Sequence, residues 1–152
     1  MFRPLDSRVG CEGTQDDARG KAEGMKRRVS TRTFGCGIDV VELAQFRRVL
    51  ARSGAAFIRR VFTKQEEAYA RARRRTRLLH LAGRFAAKEA VIKAVSQVDP
   101  GRMLAMHQVE IRNDRLGRPH AILHDGGRKR LKVHISLSHV DTVAVASAIV
   151  IR

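Results

Sequence analysis

The chain has 152 residues, of which 43% are hydrophobic, so it can bury one core, and a wholly disordered protein is excluded. Its 31 Lys and Arg residues outnumber 15 Asp and Glu and give a formal net charge of +16. This excess predicts an anionic partner: a nucleic acid, an acidic protein, a membrane surface or a phosphorylated ligand. No apolar run approaches the roughly 20 residues that cross a bilayer, and the N-terminus lacks the apolar core of a secretory signal. The two cysteines do not have the spacing typical of a metal site. We therefore expect a cytoplasmic protein with reduced thiols.

Residues 1–33 differ in character from the rest of the sequence. They mix Gly with charged residues and show no sustained period of 2 or 3.6, which predicts a disordered basic extension. Met25 is an alternative start, because the basic residues that follow it lead straight into the first ordered element. Most of the positive charge lies beyond this extension, so the basic character belongs to the predicted domain, residues 34–152.

The first predicted elements are a strand and a helix. The apolar run 34–41 predicts a buried strand that contains one carboxylate, Asp39. Residues 42–53 carry apolar side chains at a helical period, and Gly54 is expected to end this helix. Residues 57–62 alternate only loosely between apolar and basic side chains.

A capping box predicts that a second helix begins after Thr63, since Glu66 follows it by three residues. This helix leads into an arginine-rich run, residues 71–77, which fits a solvated helix face, a docking surface for an acidic protein or a nucleic-acid contact. Residues 78–95 then predict a long central helix. Its apolar residues run almost all round the helix, which is typical of a buried element.

The central helix also carries charges that are costly to bury. Arg84 and Lys88 lie one turn apart, as do Glu89 and Lys93, so the local interpretation of the latter two is an ordinary ion pair. Asp39 and Glu89 lie in two separate apolar elements. Two such oxygen donors also suit Mg²⁺, which takes one or two carboxylates and fills its other positions with water and phosphate oxygens.

Strands dominate the C-terminal part of the sequence, after a break at 100–101. Alternating side chains predict strands, joined by turns rich in Gly, Asp and Pro, over residues 107–113, 121–123, 131–139 and 142–151. Helices followed by antiparallel strands predict an α+β domain, with helices packed on a small antiparallel sheet.

A Ser-Leu-Ser-His sequence ends one of these strands. Strand alternation places Ser136 and Ser138 on one face and His139 on the other, so a nucleophilic serine–histidine pair is disfavoured. A lone histidine at a strand end is more often a hydrogen-bonding surface residue.

A basic nucleic-acid-binding domain without catalysis is the alternative function. The chain has one Tyr and no Trp, so the stacking platforms common in single-strand binders are missing.

Taken together, these stretches resemble the holo-(acyl carrier protein) synthase family of 4′-phosphopantetheinyl transferases. The resemblance covers residues 34–151, and its most specific part is the central Gly-Arg-Phe-Ala-Ala-Lys-Glu-Ala block. The matching segments come in the family's order along the chain: 37–42, 57–63, 83–90, 109–119 and 133–139.

The resemblance implies Mg²⁺-dependent transfer of phosphopantetheine from coenzyme A to a serine of an acyl carrier protein, with release of 3′,5′-ADP. Asp39 and Glu89 match the family's Mg²⁺ ligands. Lys93 matches a phosphate-contacting lysine and joins these two as a catalytic residue. Arg84 and His139 match further coenzyme-binding positions.

The resemblance also implies a homotrimer with active sites between neighbouring subunits. Acyl carrier proteins of fatty-acid or polyketide synthesis are acidic, so a basic docking surface is expected. The candidate residues for this surface are Arg47, Arg48, Arg59 and Arg60, with the run 71–77 as a weaker candidate.

Overall fold

The computed structural model of the protein describes residues 32–126 and 130–152. The disorder predicted for the N-terminal extension and the alternative start at Met25 fall on residues 1–31, outside the described residues. In the part of the chain that is described, no helix is long and apolar enough to cross a bilayer. The helices and strands are β1 Phe34–Glu42, α1 Leu43–Val61, α2 Lys64–Ala72, α3 Arg77–Val98, β2 Val109–Asn113, β3 Pro119–Leu123, β4 Lys132–His139 and β5 Val143–Ile151.

The strands form two antiparallel sheets, so the predicted α+β class is confirmed. The larger sheet has the order β1-β5-β4, and the smaller one is the β2-β3 hairpin. In the hairpin turn Gly117 has a φ of 81°, which glycine adopts without steric cost. Asp114 fixes this turn by accepting hydrogen bonds from the backbone N–H groups of Leu116 (2.9 Å) and Arg118 (2.8 Å).

Helix α3 lies across the larger sheet and is buried along most of its length. Its small side chains let β1 approach the helix backbone closely, and both contacting strand residues are glycines. A Cβ atom built on Gly35 would lie 2.2 Å from the carbonyl oxygen of Ala94, and one on Gly37 would lie 2.1 Å from that of Ala90. The two glycines therefore set the distance between α3 and the strand that carries Asp39.

We expect Gly37→Ala to destabilise the fold by about 1–3 kcal/mol, the usual cost of overpacking a close-packed interior. The added methyl group meets a helix carbonyl that has no side-chain freedom to move away. Thermal unfolding measures the effect, and Gly54→Ala is the matched control because a Cβ atom there meets nothing within 4 Å. A Gly37→Ala protein that unfolds at the temperature of the parent protein would contradict the close approach of strand and helix.

Strand β1 is buried on one face only, so the prediction of a buried strand is half wrong. Gly35, Gly37, Asp39 and Val41 face α3, as the strand pairing with the buried residues of β5 requires. The opposite face exposes large apolar side chains, namely Phe34 (72% exposed), Ile38 (62%) and Val40 (60%), next to Ile149 of β5. A continuous apolar run does not reveal that, among residues 32–126 and 130–152, no element covers one face of the strand.

Helix α1 does not end at Gly54, as the sequence predicted, but continues to Val61 after a kink at Ser53 (φ −135°, ψ 22°). Residues 57–62, whose alternation did not indicate a helix, thus lie in its second half and at its C-cap. Tertiary packing accounts for the continuation, because the ring of Phe57 lies 5.8 Å from that of Phe46 and 5.9 Å from that of Phe85. Aromatic contacts of this kind outweigh the helix-ending preference of one glycine.

Candidate active site

Asp39 of β1 and Glu89 of α3 line one cavity of about 360 Å³, together with Glu42 at the end of β1. Its other walls come largely from apolar side chains of α1 and α3, including Phe46, Phe57 and Phe85. We call this space the carboxylate cavity. The close packing of β1 on α3 brings the two acids together although they lie far apart in the sequence, as the sequence analysis predicted for a shared site.

Lys93 lies beside this cavity and pairs with Asp39. Its ammonium group is 2.8 Å from the Asp39 carboxylate and donates a second hydrogen bond, of 3.1 Å, to the Ile38 carbonyl. The hydrogen bond to Asp39, and the negative charges of Asp39 and Glu89, raise the pKa of Lys93. The ordinary Glu89–Lys93 ion pair is therefore not what the structure shows, because the strand carboxylate lies closer to the lysine.

The donor set of the carboxylate cavity fits Mg²⁺. Two carboxylate oxygen donors on two rigid elements match a cation that keeps several waters and accepts substrate phosphates. Over residues 32–126 and 130–152, no group of three or more His, Cys, Asp or Glu side chains forms a closed metal site. Asp39 and Glu89 would hold the ion, and Lys93 now neutralises the carboxylate that such an ion would contact.

Arg84 is 5% exposed, although it is a charged residue. Its guanidinium donates to the side chain of Asn113 (2.9 Å) and, at 3.4 Å, to the carbonyl of His80. It also lies 4.0 Å from the centre of the Tyr69 ring, and burial lowers its pKa. The Nε atom is buried and has no hydrogen-bond partner among the described residues. Both acceptors of these hydrogen bonds are uncharged, so the positive charge of Arg84 is available to an anion.

Arg84 and His139 line a second cavity, of about 220 Å³, together with Tyr69, His80 and Ser138. We call it the arginine cavity. No Asp or Glu side chain is among its lining residues, so its walls offer positive charge and hydrogen-bond donors. The two candidate coenzyme residues of the sequence analysis are thus brought together. Within one chain they line a different cavity from Asp39 and Glu89.

Lys88, for which the sequence indicated no function, is fully buried in an ion pair with Glu66. The lysine nitrogen lies 2.6 Å from the carboxylate and also donates to the carbonyls of Val61 (2.6 Å) and Met106 (3.1 Å). Glu66 was predicted only as the capping-box residue of α2, a role that the structure confirms. The capping signal located this carboxylate, but its partner lies too far along the chain for a local pattern to reveal.

Tyr69 and His80 are the lining residues of the arginine cavity that the sequence analysis missed. The rings of Tyr69 and His80 meet edge to face, with centroids 5.4 Å apart. Arg73, from the arginine-rich run, lies 3.5 Å from the centre of the same tyrosine ring. The single tyrosine of this strongly basic chain was the sequence feature that could have indicated the site, because arginine side chains stack readily on aromatic faces.

The arginines predicted to dock an acidic partner are exposed and lie on α1. Arg47 and Arg48 precede the kink at Ser53, and Arg59 and Arg60 follow it. The run 71–77 spans the end of α2 and a short 3₁₀ turn, and most of its side chains are exposed. The structure places these residues at the surface and does not show what they bind.

Comparison with known proteins agrees on one family. Residues 35–148 match the family model of the 4′-phosphopantetheinyl transferase superfamily. A holo-[acyl-carrier-protein] synthase of Chlorobaculum parvum is 41% identical over 114 residues, which cover 75% of this chain and 95% of the relative. The synthase of Lactococcus lactis subsp. lactis is 41% identical over 119 residues, covering 74% of this chain and 92% of the relative.

Solved structures show the same fold. A complex of the synthase from Chronobacterium ammoniagenes with CoA superposes with a TM-score of 0.66 at 31% identity, covering 78% of this chain and 96% of that one. The synthase of Bacillus anthracis in complex with CoA (3′,5′-ADP) gives a TM-score of 0.63 at 34% identity, with 77% and 95% of the two chains covered. This chain therefore belongs to the 4′-phosphopantetheinyl transferase superfamily and, within it, to the holo-(acyl carrier protein) synthases.

Proposed function

We propose that the protein transfers 4′-phosphopantetheine from coenzyme A to a serine hydroxyl of an apo acyl carrier protein, with Mg²⁺ as the metal and 3′,5′-ADP as the second product. The observation that carries this proposal is the meeting of Asp39 and Glu89 in one cavity beside Lys93. Membership of the synthase family supports the reaction class, and the CoA complexes of the structural relatives support the donor substrate.

The reaction breaks one phosphoanhydride bond of coenzyme A. The serine oxygen forms a bond to the phosphorus that carries pantetheine, and the bridging oxygen leaves with 3′,5′-ADP. Mg²⁺ held by Asp39 and Glu89 would neutralise the charge that develops on the phosphate oxygens. The proton of the serine hydroxyl is taken up by a base, for which a carboxylate of this cavity or a bound water is a candidate.

Lys93 is suited to contact the same phosphates. Its ammonium group is half exposed and is held by one carboxylate and one carbonyl at the cavity edge. With a cation held by Asp39, the lysine would be free to donate to a phosphate oxygen instead. The lysine would thus serve as counter-ion of Asp39 in the free protein and as a phosphate ligand in the complex.

Arg84 and His139 are proposed to bind a phosphate group of coenzyme A in the arginine cavity. This cavity and the carboxylate cavity share no lining residue within one chain. An assembly in which neighbouring subunits combine the two cavities would place all five proposed site residues around one coenzyme. We therefore infer a homotrimer with active sites at the subunit interfaces.

The exposed face of the larger sheet supports this assembly. Phe34, Ile38 and Val40 form an apolar row of the kind that marks protein–protein interfaces.

We expect Ile38→Asp to convert the trimer to a smaller species, because a charge in a packed apolar interface must be desolvated. Light scattering during size-exclusion chromatography measures the mass, and the control is Met103→Asp, at an exposed methionine between α3 and β2. Parent protein that runs as a monomer would contradict the inference.

An acidic carrier protein is the expected macromolecular partner. Arg47 and Arg48 lie on α1, which also supplies walls of the carboxylate cavity, so a carrier bound there would have its serine near the proposed metal. Arg59 and Arg60 lie beyond the kink and would extend the basic surface. Opposite charges on the two surfaces speed their encounter and fix their orientation.

Mass spectrometry of the carrier tests the proposed function directly. The protein is incubated with coenzyme A, Mg²⁺ and apo carrier proteins of fatty-acid and of polyketide synthesis. We expect a gain of one phosphopantetheine on at least one carrier and no gain in the presence of EDTA. No gain on any carrier, together with tight binding of DNA or RNA that weakens strongly with salt, would instead favour the nucleic-acid-binding alternative.

A further inference from the structure

The arginine cavity contains a histidine that the proposed reaction does not use. His80 is half-buried on α3, and its ring packs against that of Tyr69 in a T-shaped contact, with centroids 5.4 Å apart. It lines the same cavity as Arg84 and His139, so an anion bound to that arginine would lie in a space shared by both histidines.

In the free protein the surroundings of His80 disfavour its protonated form. Burial, then the positive charges of Arg84, Arg73 and His139, lower the pKa of His80 below its ordinary value of 6.5. These groups come from three elements packed around the ring: α3 itself, the end of α2 and β4. Tyr69, also on α2, and Asn113 of the hairpin complete the surroundings, and no carboxylate lines the cavity.

An anion in this cavity would reverse that balance. Arg84 lines this cavity, its hydrogen bonds go to the uncharged acceptors Asn113 and the His80 carbonyl, and no carboxylate is among the lining residues, so an anion there would meet an arginine that no lining acid neutralises. Once a phosphate oxygen occupies the cavity, its negative charge outweighs the repulsion from the arginines, and a protonated imidazole gains an attractive partner. His80 is thus a titratable group of this cavity whose pKa is lowered in the free protein.

We propose that His80 binds a proton when a phosphate group enters the arginine cavity, so that recognition of the coenzyme is coupled to proton uptake. This inference rests on the proposed function, since it takes the phosphate of coenzyme A as the ligand. The neutral ring keeps the empty cavity from accumulating a further positive charge. The protonated ring adds a charge-assisted hydrogen-bond donor only when the phosphate is present.

The sign of the pH dependence follows from linkage. The pKa of His80 is below 6.5 in the free protein and higher in the complex, so binding takes up protons between these two values. The contribution of His80 to affinity is complete at pH values below the free-state pKa and is lost as pH rises through the bound-state pKa. A single proton changes the affinity by at most about tenfold per pH unit.

Calorimetric titration of the full-length protein with coenzyme A tests the inference. At pH 7, titrations in two buffers of different ionisation enthalpy give the number of protons taken up. We expect uptake by the parent protein, markedly less uptake by His80→Gln, and affinities of the two that differ by at least about threefold at pH 6.5 and converge above pH 8.5. The matched control is His107→Gln, at an exposed histidine outside the cavity.

The outcomes separate this inference from the proposed function. Uptake and pH dependence that persist in His80→Gln would overturn the role of His80, even with coenzyme A bound tightly. If the parent protein does not bind coenzyme A, the proposed function fails, and the titration is repeated with inorganic phosphate. Proton uptake on phosphate binding that disappears in His80→Gln would then uphold the site itself, and its absence would overturn it.

Discussion

The variant Glu89→Gln is expected to lose about 10²–10³-fold of the transferase activity at saturating coenzyme A, the loss typical when one group that stabilises developing charge is removed. Glutamine keeps the size of the side chain and one oxygen but removes the charge that a cation requires. Glu89 lines the carboxylate cavity beside Asp39, whose own charge is already shared with Lys93. The variant would therefore leave Asp39 as the one charged ligand of the proposed pair.

The dependence on Mg²⁺ distinguishes a metal ligand from a residue that matters for other reasons. We expect the Mg²⁺ concentration for half-maximal activity to rise at least about tenfold in Glu89→Gln, as is common when metal coordination is weakened. Glu67→Gln is the matched control, because Glu67 is a partly exposed glutamate of α2 outside the carboxylate cavity, and its partner Arg71 is exposed. A Glu89→Gln protein that retains the activity and Mg²⁺ response of the parent would remove Glu89 from the metal site.

Unfolding temperature supplies the second readout for this variant. Glu89 shares its cavity with the carboxylates of Asp39 and Glu42, which repel it in the absence of a cation, so removing its charge should leave the free protein as stable as the parent or slightly more stable. A large loss of stability would instead indicate a structural role for Glu89. Added Mg²⁺ should raise the unfolding temperature of the parent protein more than that of the variant, since a ligand stabilises the state that binds it.

Local sequence patterns predicted the elements that carry the site. The all-round apolar pattern of α3 matches its burial, and strand alternation placed His139 on the opposite face from Ser138, as the pairing of β4 with β5 shows. The capping box located the start of α2. Each of these signals depends only on residues that are close together in the sequence. It can therefore be identified from one sequence, without knowledge of the tertiary contacts.

The missed features depend on contacts between distant parts of the chain. Lys93 had a nearby candidate partner in Glu89, but the glycines of β1 bring Asp39 within 2.8 Å of its ammonium group. The continuation of α1 past Gly54 depends on the ring contacts of Phe57. No periodicity in the sequence reports such contacts.

Lys88→Met is expected to destabilise the fold by about 3–5 kcal/mol, the usual cost of breaking a buried ion pair by removing one partner. Lys88 and Glu66 are 0% and 1% exposed, so the carboxylate left behind stays out of water. Glu66 retains hydrogen bonds from the backbone N–H groups of Thr63 (2.8 Å) and Ile111 (2.9 Å), but no described cation takes the place of the lysine. The carbonyls of Val61 and Met106 also lose a donor.

Denaturant unfolding of a double-mutant cycle tests whether the pair acts as a unit. Glu66→Gln removes the charge while keeping an oxygen for the backbone donors, so the double variant with Lys88→Met should cost less than the sum of the two single changes, by more than about 1 kcal/mol. Arg71→Met, which breaks the exposed pair with Glu67, is the control and should cost no more than about 0.5 kcal/mol. Strict additivity would contradict the ion pair.

The same pair has a consequence for the site, because Lys88 precedes Glu89 on α3. Lys88 ties this turn of α3 to the capping residue of α2 and to the carbonyls at the end of α1 and before β2. A helix that loses this anchor can shift along the sheet, and the carboxylate of Glu89 shifts with it. We therefore expect Lys88→Met, assayed below its unfolding temperature, to need more Mg²⁺ for half-maximal activity, whereas Arg71→Met should respond to Mg²⁺ as the parent does.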